Sequence, residues 1–358
     1  MIYVGAAEPH GFALILTEAA EPLEIHLPEL TTRALHERVT ALLGIPVEWW
    51  GGELADVLDW LGNAVMAKLS GHLPPQALVT LVPLGALSLL PLHAAGAIRG
   101  TDGVWRDRFE GVAFRYAPNA RALDRARATA SSLARTEVSV LTVDVSEAPD
   151  ASRLPYAAIE SRAVEAQFEN RLVRHLPNAR RGEVLASLEQ STVWHFACHG
   201  RAVPDEPLQS ALLLADHPIT LRQLLARPAG RHRLAVLSAC ETALPDRALL
   251  DEVVSFPGAL LQAGVAGVVA TQAKVDDLAA MLLVQRFFER FRTGIAPARA
   301  LAEAQTWLRT STNARLHADV PKYYPLPIDI STAELEEWKS EYPFSQPAAW
   351  APFSYTGA

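Results

Sequence analysis

Apolar and polar positions alternate in short runs over the first thirty residues, MIYVGA, GFALILTE and LEIHL, each broken by Gly, Pro or acidic residues. Runs of this length and composition, bounded by turn residues, predict β-strands, here a small antiparallel meander. From Thr31 the period lengthens. Leu35, Val39, Leu42 and Leu43 share one helical face, and Leu54, Val57, Leu58, Leu61, Val65 and Leu69 form a second stripe, the three-and-four spacing of amphipathic helices. The Trp49-Trp50-Gly51-Gly52 break separates the two, and Gly71 ends the second. ALVTLV predicts an apolar strand before a turn around Pro83 and Gly85. GVAFRY predicts another, with Pro118 opening a helix that carries Leu123. The polar stretch RARATASSLARTE reads as the end of that helix and a linker, which puts a domain boundary near Ala134.

Beyond the boundary, strands and helices alternate, as in a doubly wound α/β domain. EVSVLTVDV, RLVRHL, STVWHFACHG, RHRLAVLSAC and AGVVATQ read as strands. SRLPYAAIESRAVEAQF, RRGEVLASLEQ, TLRQLLARP, SFPGALLQAG, DDLAAMLLVQRFFERFRTG and IAPARALAEAQTWLRT read as helices. A short strand around Phe353 and Tyr355 closes the chain, and residues 313–346, rich in Pro, Tyr and Glu, read as an irregular insertion.

Composition narrows the classes. Of 358 residues half are hydrophobic and 20% charged, the profile of a globular chain with ample core. Lys plus Arg number 32 against 40 Asp plus Glu, a net charge of −8, so no polyanion footprint is present and nucleic acid is not an expected partner. The start lacks a basic segment before an apolar run, and no apolar run is long enough to span a membrane. A cytoplasmic location is therefore the expectation, one in which Cys198 and Cys240 stay reduced. No cofactor is implied.

Two predicted strands end in reactive residues: VWHFAC runs into His199-Gly200, and LAVLSA into Cys240-Glu241-Thr242. In parallel sheets function gathers at the carboxyl ends of strands. A thiol with a free pKa of about 8.5 needs a base beside it to attack at neutral pH, and a histidine at the same sheet edge supplies one. The backbone N–H groups of Gly200 and Cys240 are candidate oxyanion donors. His195, Cys198 and His199 also resemble a zinc-ligand cluster. On one strand, however, His195 and His199 would stand about 13 Å apart at ~3.3 Å per residue, too far to share an ion, so no metal is expected. Cys198 should face the opposite side and pack, and His195 should be a satisfied core histidine.

VWHFACHG, SALLLADHPITLRQLL, RLAVLSACETAL and GALLQAGVAGVVATQAKVDD, taken in order, resemble successive blocks of the CHAT domain family. VPLGALSLLPLHAAG, YAPNARAL, LPYAAIESRAV and AAWAPFSYTG are similar to its earlier and last blocks. The resemblance implies a caspase-like three-layer α/β/α sandwich. Residues 1–134 would form a degenerate caspase-like half without a cysteine, and residues 135–358 the active half. It also implies a cysteine endopeptidase with Cys240 as nucleophile and His199 as base, acting on a protein substrate. A regulated effector in bacterial defence, switched by a separate activating or sensor protein, is the implied role. A catalytically silent scaffold is the alternative. Gln272-Ala273 stand where the family usually carries Leu-Trp, which bears on specificity. Asp276 and Asp277 follow in the loop expected to line the substrate groove. They serve either to select a basic side chain or to cap the next helix. Glu241 either orients the nucleophile loop or pairs with Arg247.

Overall fold

The computed structural model describes residues 1–17, 21–44, 50–109, 111–133, 137–168, 172–203, 206–227, 230–238, 256–328 and 330–358. The opening runs form β1 (Ile2–Gly5), β2 (Gly11–Ile15) and β3 (Leu23–Leu27), an antiparallel meander in which Val4 pairs with Ala13 and Ala13 with Ile25. Gly11 admits the Leu30 carbonyl oxygen 2.5 Å from where a Cβ would stand, a crossing only glycine allows. Helix α1 (Thr32–Gly44) buries Leu35, Val39 and Leu42. Helix α2 (Trp50–Leu61) continues through a π turn at Gly62–Met66 into α3 (Ala67–Leu69). Gly51 and Gly52, expected between helices, lie in the first turn of α2.

β4 (Leu78–Pro83), the hairpin β5 (Ala97–Arg99) and β6 (Trp105–Asp107), β7 (Ala113–Tyr116) and α4 (Ala120–Ser132) follow. The side chain of Asn119 caps α4 by accepting the Ala122 N–H at 2.9 Å. The alternating region becomes β8 (Ser139–Asp144), α5 (Ala157–Ala166), β9 (Leu172–Pro177), α6 (Arg181–Leu188), β10 (Val193–Ala197), β11 (His199–Arg201), β12 (Ala211–Leu213), β13 (Ile219–Thr220) and α7 (Leu221–Leu225). Then come β14 (Leu234–Ser238), α8 (Phe256–Gln262), β15 (Gly267–Thr271), α9 (Asp277–Arg292), α10 (Pro297–Thr310), α11 (Asn313–Asp319), α12 (Thr332–Ser340) and β16 (Phe353–Gly357). Residues 313–346, expected to be irregular throughout, thus hold two helices, α11 and α12, with turns and coil around them. Thr312 and Ser331 cap α11 and α12 with their hydroxyls, and Tyr324 stacks on Trp338 at 6.0 Å.

Among the described residues eleven strands make one mixed sheet, ordered β3-β2-β1-β4-β7-β16-β15-β14-β10-β8-β9. Strands before residue 134 stand on one side and those after it on the other, meeting where β16 pairs with β7 at Thr356 and Tyr116. Alternation along the central strands builds two cores. Val140, Val193, Leu234, Val236 and Val269 turn toward Val164 of α5 and the apolar sides of α9 and α10. Leu141, Val143, Trp194, Phe196, Ala235, Leu237 and Val268 turn toward Val184 of α6, Leu224 of α7 and Leu260 of α8. Strands covered on both faces give a three-layer α/β/α fold and explain why their sequences are apolar throughout. Among the described residues no helix is long and apolar enough to cross a membrane.

Phe288, fully buried in α9, meets the rings of Phe287, His195 and Phe168 at 5.2, 5.7 and 5.9 Å. Phe288→Ala is expected to cost about 3–5 kcal/mol, read from the urea unfolding midpoint at unchanged slope. Near the seam, burial pushes the His93 imidazole from 6.5 down to about 4, opposed by the Phe353 carbonyl and assisted by the charge of Arg309. The unfolded chain therefore takes up this proton first, and stability is lost as pH falls from 6.5 toward 4. The loss is expected to be on the order of 2 kcal/mol, and unfolding curves of His93→Gln at neutral and acid pH should show a smaller one.

Candidate active site

β10 and β14 are parallel neighbours, with His195 beside Val236 and Ala197 beside Ser238. The strands that lead into His199-Gly200 and Cys240 therefore end side by side. Cys240, Glu241 and Arg247 lie outside the described residues. From β8 the chain winds through α5 to β9 on one side, whereas from β10 it winds through α7 to β14 on the other. A reversal of this kind separates the two connections and opens a crevice at the carboxyl ends of the strands.

His199 stands in that crevice. The continuous strand expected through His195 and His199 is not formed: β10 ends at Ala197, and His199 begins β11, pairing with Leu213 of β12 in a separate three-stranded sheet. The spacing of ~3.3 Å per residue along one strand therefore does not describe this histidine pair. Among the described residues no group of three or more His, Cys, Asp or Glu side chains is placed to hold a metal. Nε2 of His199 lies 2.6 Å from the carbonyl oxygen of Ser152, in the segment leaving β8. A carbonyl only accepts, so Nε2 carries the hydrogen and the neutral ring keeps Nδ1 as its basic nitrogen. Gly200 follows in β11, opposite Leu212.

Beneath the crevice is a buried polar relay. His195, fully buried, donates from Nε2 to Oε1 of Glu160 at 2.7 Å. The Ser238 hydroxyl donates to Oε2 of the same carboxylate at 3.0 Å. His195 is therefore a core histidine held by an acid, although its Nδ1 has no partner among the described residues. Glu160 is only 2% exposed. It lies on the same stripe of α5 as Ala157 and Val164. Cys198 turns to the opposite face and packs in the second core with Leu212 and Leu214.

A small cleft, with a cavity volume of about 20 Å³, adjoins these groups. Ala197 and Cys198 bring the end of β10 to its wall, Ser238 the end of β14 and Thr271 the end of β15, with Glu160 and Asp277 contributing carboxylates. The two acids nominated from sequence part company here. Asp276 is exposed and caps α9, its Oδ1 accepting the Ala279 N–H at 3.0 Å. Asp277 lines the cleft and accepts the Tyr156 N–H at 2.8 Å. Burial raises the Asp277 carboxyl above its ordinary range. The Tyr156 hydrogen bond opposes this, the charges of Glu160 and Asp276 add to it, and His199 pulls it back. Gln272 and Ala273 do not line the cleft; Gln272 Nε2 instead reaches the Ser88 carbonyl at 3.3 Å.

Sequence reading missed Ser152, Ser238 and Glu160. The Ser152 contribution is a backbone carbonyl and has no side-chain signature. Glu160 did leave one, since it falls on the apolar stripe of LPYAAIESRAV, where an acid is rarely buried without a partner.

The class defined so far is a three-layer α/β/α sandwich with a histidine-bearing crevice at a point where the strand order reverses. The CHAT domain family model matches residues 55–358, and the chain belongs to that family. No curated protein matches it. Among solved structures, the Arg-specific cysteine proteinase gingipain R (RgpB) is 11% identical with a TM-score of 0.48, over 88% of this chain and 69% of that one. The complex of Porphyromonas gingivalis RgpB pro- and mature domains gives 11% and 0.49, over 84% and 68%. Separase in the Saccharomyces cerevisiae separase–securin complex gives 12% and 0.44, over 78% of this chain and 15% of that one.

Because the folded Asp277 carboxyl holds its proton to higher pH than the unfolded one, ordinarily near 3.8, stability falls as pH rises through that window. Asp277→Asn keeps an oxygen for the Tyr156 N–H and removes the charge. Its melting temperature is expected to exceed that of the parent by a few degrees at pH 7, with the gap closing in acid. An equal gap at pH 7 and pH 3.5 would contradict this origin.

Proposed function

We propose that the chain is a cysteine endopeptidase of the CHAT family that cleaves a protein partner, with Cys240 as nucleophile and His199 as base. The observation that carries the reading is the His199–Ser152 hydrogen bond. It fixes Nε2 as the donor and leaves Nδ1 to take a proton, at a strand end neighbouring the one that leads to Cys240 two residues past Ser238. Family membership over residues 55–358 supports it.

In this mechanism the Cys240 thiol proton passes to Nδ1 of His199, and the thiolate adds to the scissile carbonyl. The backbone N–H groups of Gly200 and Cys240 hold the resulting oxyanion. The C–N bond then breaks, the imidazolium proton goes to the leaving amine, and a thioester remains on Cys240. Water, losing its proton to His199, adds to the thioester and releases the acid and the thiol. Residues 1–134 serve as the degenerate half and 135–358 as the active half of a caspase-like unit. The proposed role is a cytoplasmic effector of bacterial defence, switched by a separate activating protein.

The test compares full-length wild type with Cys240→Ala and His199→Gln on a fluorogenic peptide library and on candidate protein partners. Each variant is expected to lose on the order of 10³-fold or more in kcat/KM, with melting temperatures close to the parent's. Equal loss of a full-length partner with wild type and Cys240→Ala would sink the proposal.

A further inference from the structure

The excursion between α10 and β16 leaves from, and returns to, the edge of the sheet that carries the crevice. α9 starts at that edge, where Asp277 lines the cleft. α10 runs back along it, with Arg290 meeting Glu303 at 2.6 Å and Arg286 lying over the Trp307 ring. These pairs descend along one helix as they ascend along the other, as antiparallel helices require, so α10 ends near the carboxyl ends of the strands. At the far end of the excursion Phe353 opens β16 opposite Thr271, the last residue of β15, and lines the same cleft as Ser238. β16 stands two strands from β14, a separation of about 10 Å at ~4.8 Å per strand.

The excursion is braced from within. Buried Asn313 donates from Nδ2 to the Trp338 carbonyl at 2.8 Å and to Glu341 at 3.2 Å, and the Tyr324 hydroxyl donates to Asn313 Oδ1 at 2.6 Å. Asp319 accepts from Trp307 at 2.8 Å and from Arg315 at 2.7 Å. The Tyr324 ring also meets those of Trp338 and Phe344, which brings the segment before α12 beside the segment after it. On this frame apolar side chains are left outside. Of the ten exposed large hydrophobic side chains among the described residues, four lie here: Leu326, Ile328, Ile330 and Tyr342, with Ile328 84% exposed. No residue of α12 is buried. Single exposed apolar residues are ordinary on a surface, but a cluster of them on a braced segment marks an interaction site.

Charge selects the occupant. Residues 321–346 hold five acids against two lysines, and Lys339 is paired with Glu336 at 2.7 Å. Glu334, Glu336, Glu337 and Glu341 are exposed, on α12 and just after it. Such a rim repels nucleic acid and anionic lipid and attracts a polypeptide in which Lys or Arg alternate with apolar side chains. We infer that the α11–α12 excursion is a docking surface for the protein substrate, holding a basic, apolar segment of it away from the bond that is cut. The inference rests on the peptidase reading and adds a second point of attachment to it. A chain held at the edge that carries His199 presents its other segments to the crevice at raised effective concentration.

Two measurements on the full chain keep the inference and the reading beneath it apart. The first uses Cys240→Ala and a fluorescein-labelled peptide of alternating Leu and Lys, followed by anisotropy, with Leu-Glu and Ser-Lys peptides as comparators. The Leu-Lys peptide is expected to bind at least about tenfold more tightly than either. That preference should fall at least about fivefold when the protein also carries Leu326→Ser with Ile328→Ser, or Glu336→Lys with Glu337→Lys. All four side chains are exposed, and melting curves certify the fold of each variant. The second measurement joins the Leu-Lys segment through a Gly-Ser linker to a fluorogenic peptide that wild type cuts. The joined substrate is expected to gain at least about tenfold in kcat/KM, mainly through KM, and to lose the gain in both double variants. Equal binding of all three peptides, or a gain on joining that survives both double variants, overturns the inference and leaves the peptidase intact. Selective binding without any gain on joining overturns the assignment to the substrate. A dimer in sedimentation velocity that Leu326→Ser with Ile328→Ser dissolves also overturns it, since the occupant is then a second copy. Selective binding that both double variants lose, without turnover of any peptide, supports the docking surface and overturns the peptidase.

Discussion

Between β8 and β10 the chain reverses the direction in which it builds the sheet, and it does so by laying α5 over one face and α7 over the other. The crevice that results is a consequence of connectivity, not of any particular side chain. It brings the segment after β8, with the Ser152 carbonyl, against the residue that follows β10, His199. Everything the site does depends on that meeting. A continuous strand through Val193 to Gly200 would have kept His199 in the main ladder, where its ring would project from a sheet face. Ending β10 at Ala197 and pairing His199 with Leu213 turns the ring over the edge instead.

Alternation along the strands then sorts the chemistry by face. His195, Ala197 and Ser238 look toward α5 and α9, whereas Cys198 looks toward α7 and α8. Glu160 enters from α5 and accepts from both His195 and Ser238. Burying that carboxyl forfeits its hydration, which the hydrogen bonds from His195 and Ser238 offset only in part. An apolar residue at this position would pack at lower cost. The fold alone gives no reason for the acid, and buried conflicts of this kind concentrate where a sequence serves a task other than packing.

The halves on either side of residue 134 are joined through the body of the sheet. β16, from the end of the chain, lies between β15 and β7. Gln305 of α10 donates to the carbonyls of Trp350 and Phe353 at 2.9 Å each, holding the entry to that strand. From the same helix Arg309 bonds the Trp105 carbonyl at 3.1 Å and Arg299 the Gly111 carbonyl at 2.7 Å. The first half therefore shares its core with the second.

Much of this was legible in the residues. Period-two and three-to-four spacing located the meander, the alternating strands and helices and the apolar stripe of α9, because those patterns record burial locally. The HG and SAC endings identified His199 as a strand-end histidine beside the Cys240 strand. Within residues 313–346 the two helices were missed, since α11 and α12 are held by hydroxyl caps and by Tyr324 against Trp338 instead of a long apolar stripe. Asp276 and Asp277, adjacent and identical in the sequence, were separated only by folding: one faces solvent at a cap, the other faces Glu160 across a cleft. The sequence by itself determined which segments are strands and helices and which residue types stand at the sheet's edge, because each depends on near neighbours in the chain. Tertiary structure alone decided that a backbone carbonyl at Ser152 orients His199 and that Glu160 lies beneath the cleft, because those contacts join residues 47 and 35 positions apart through a strand order that no local pattern encodes.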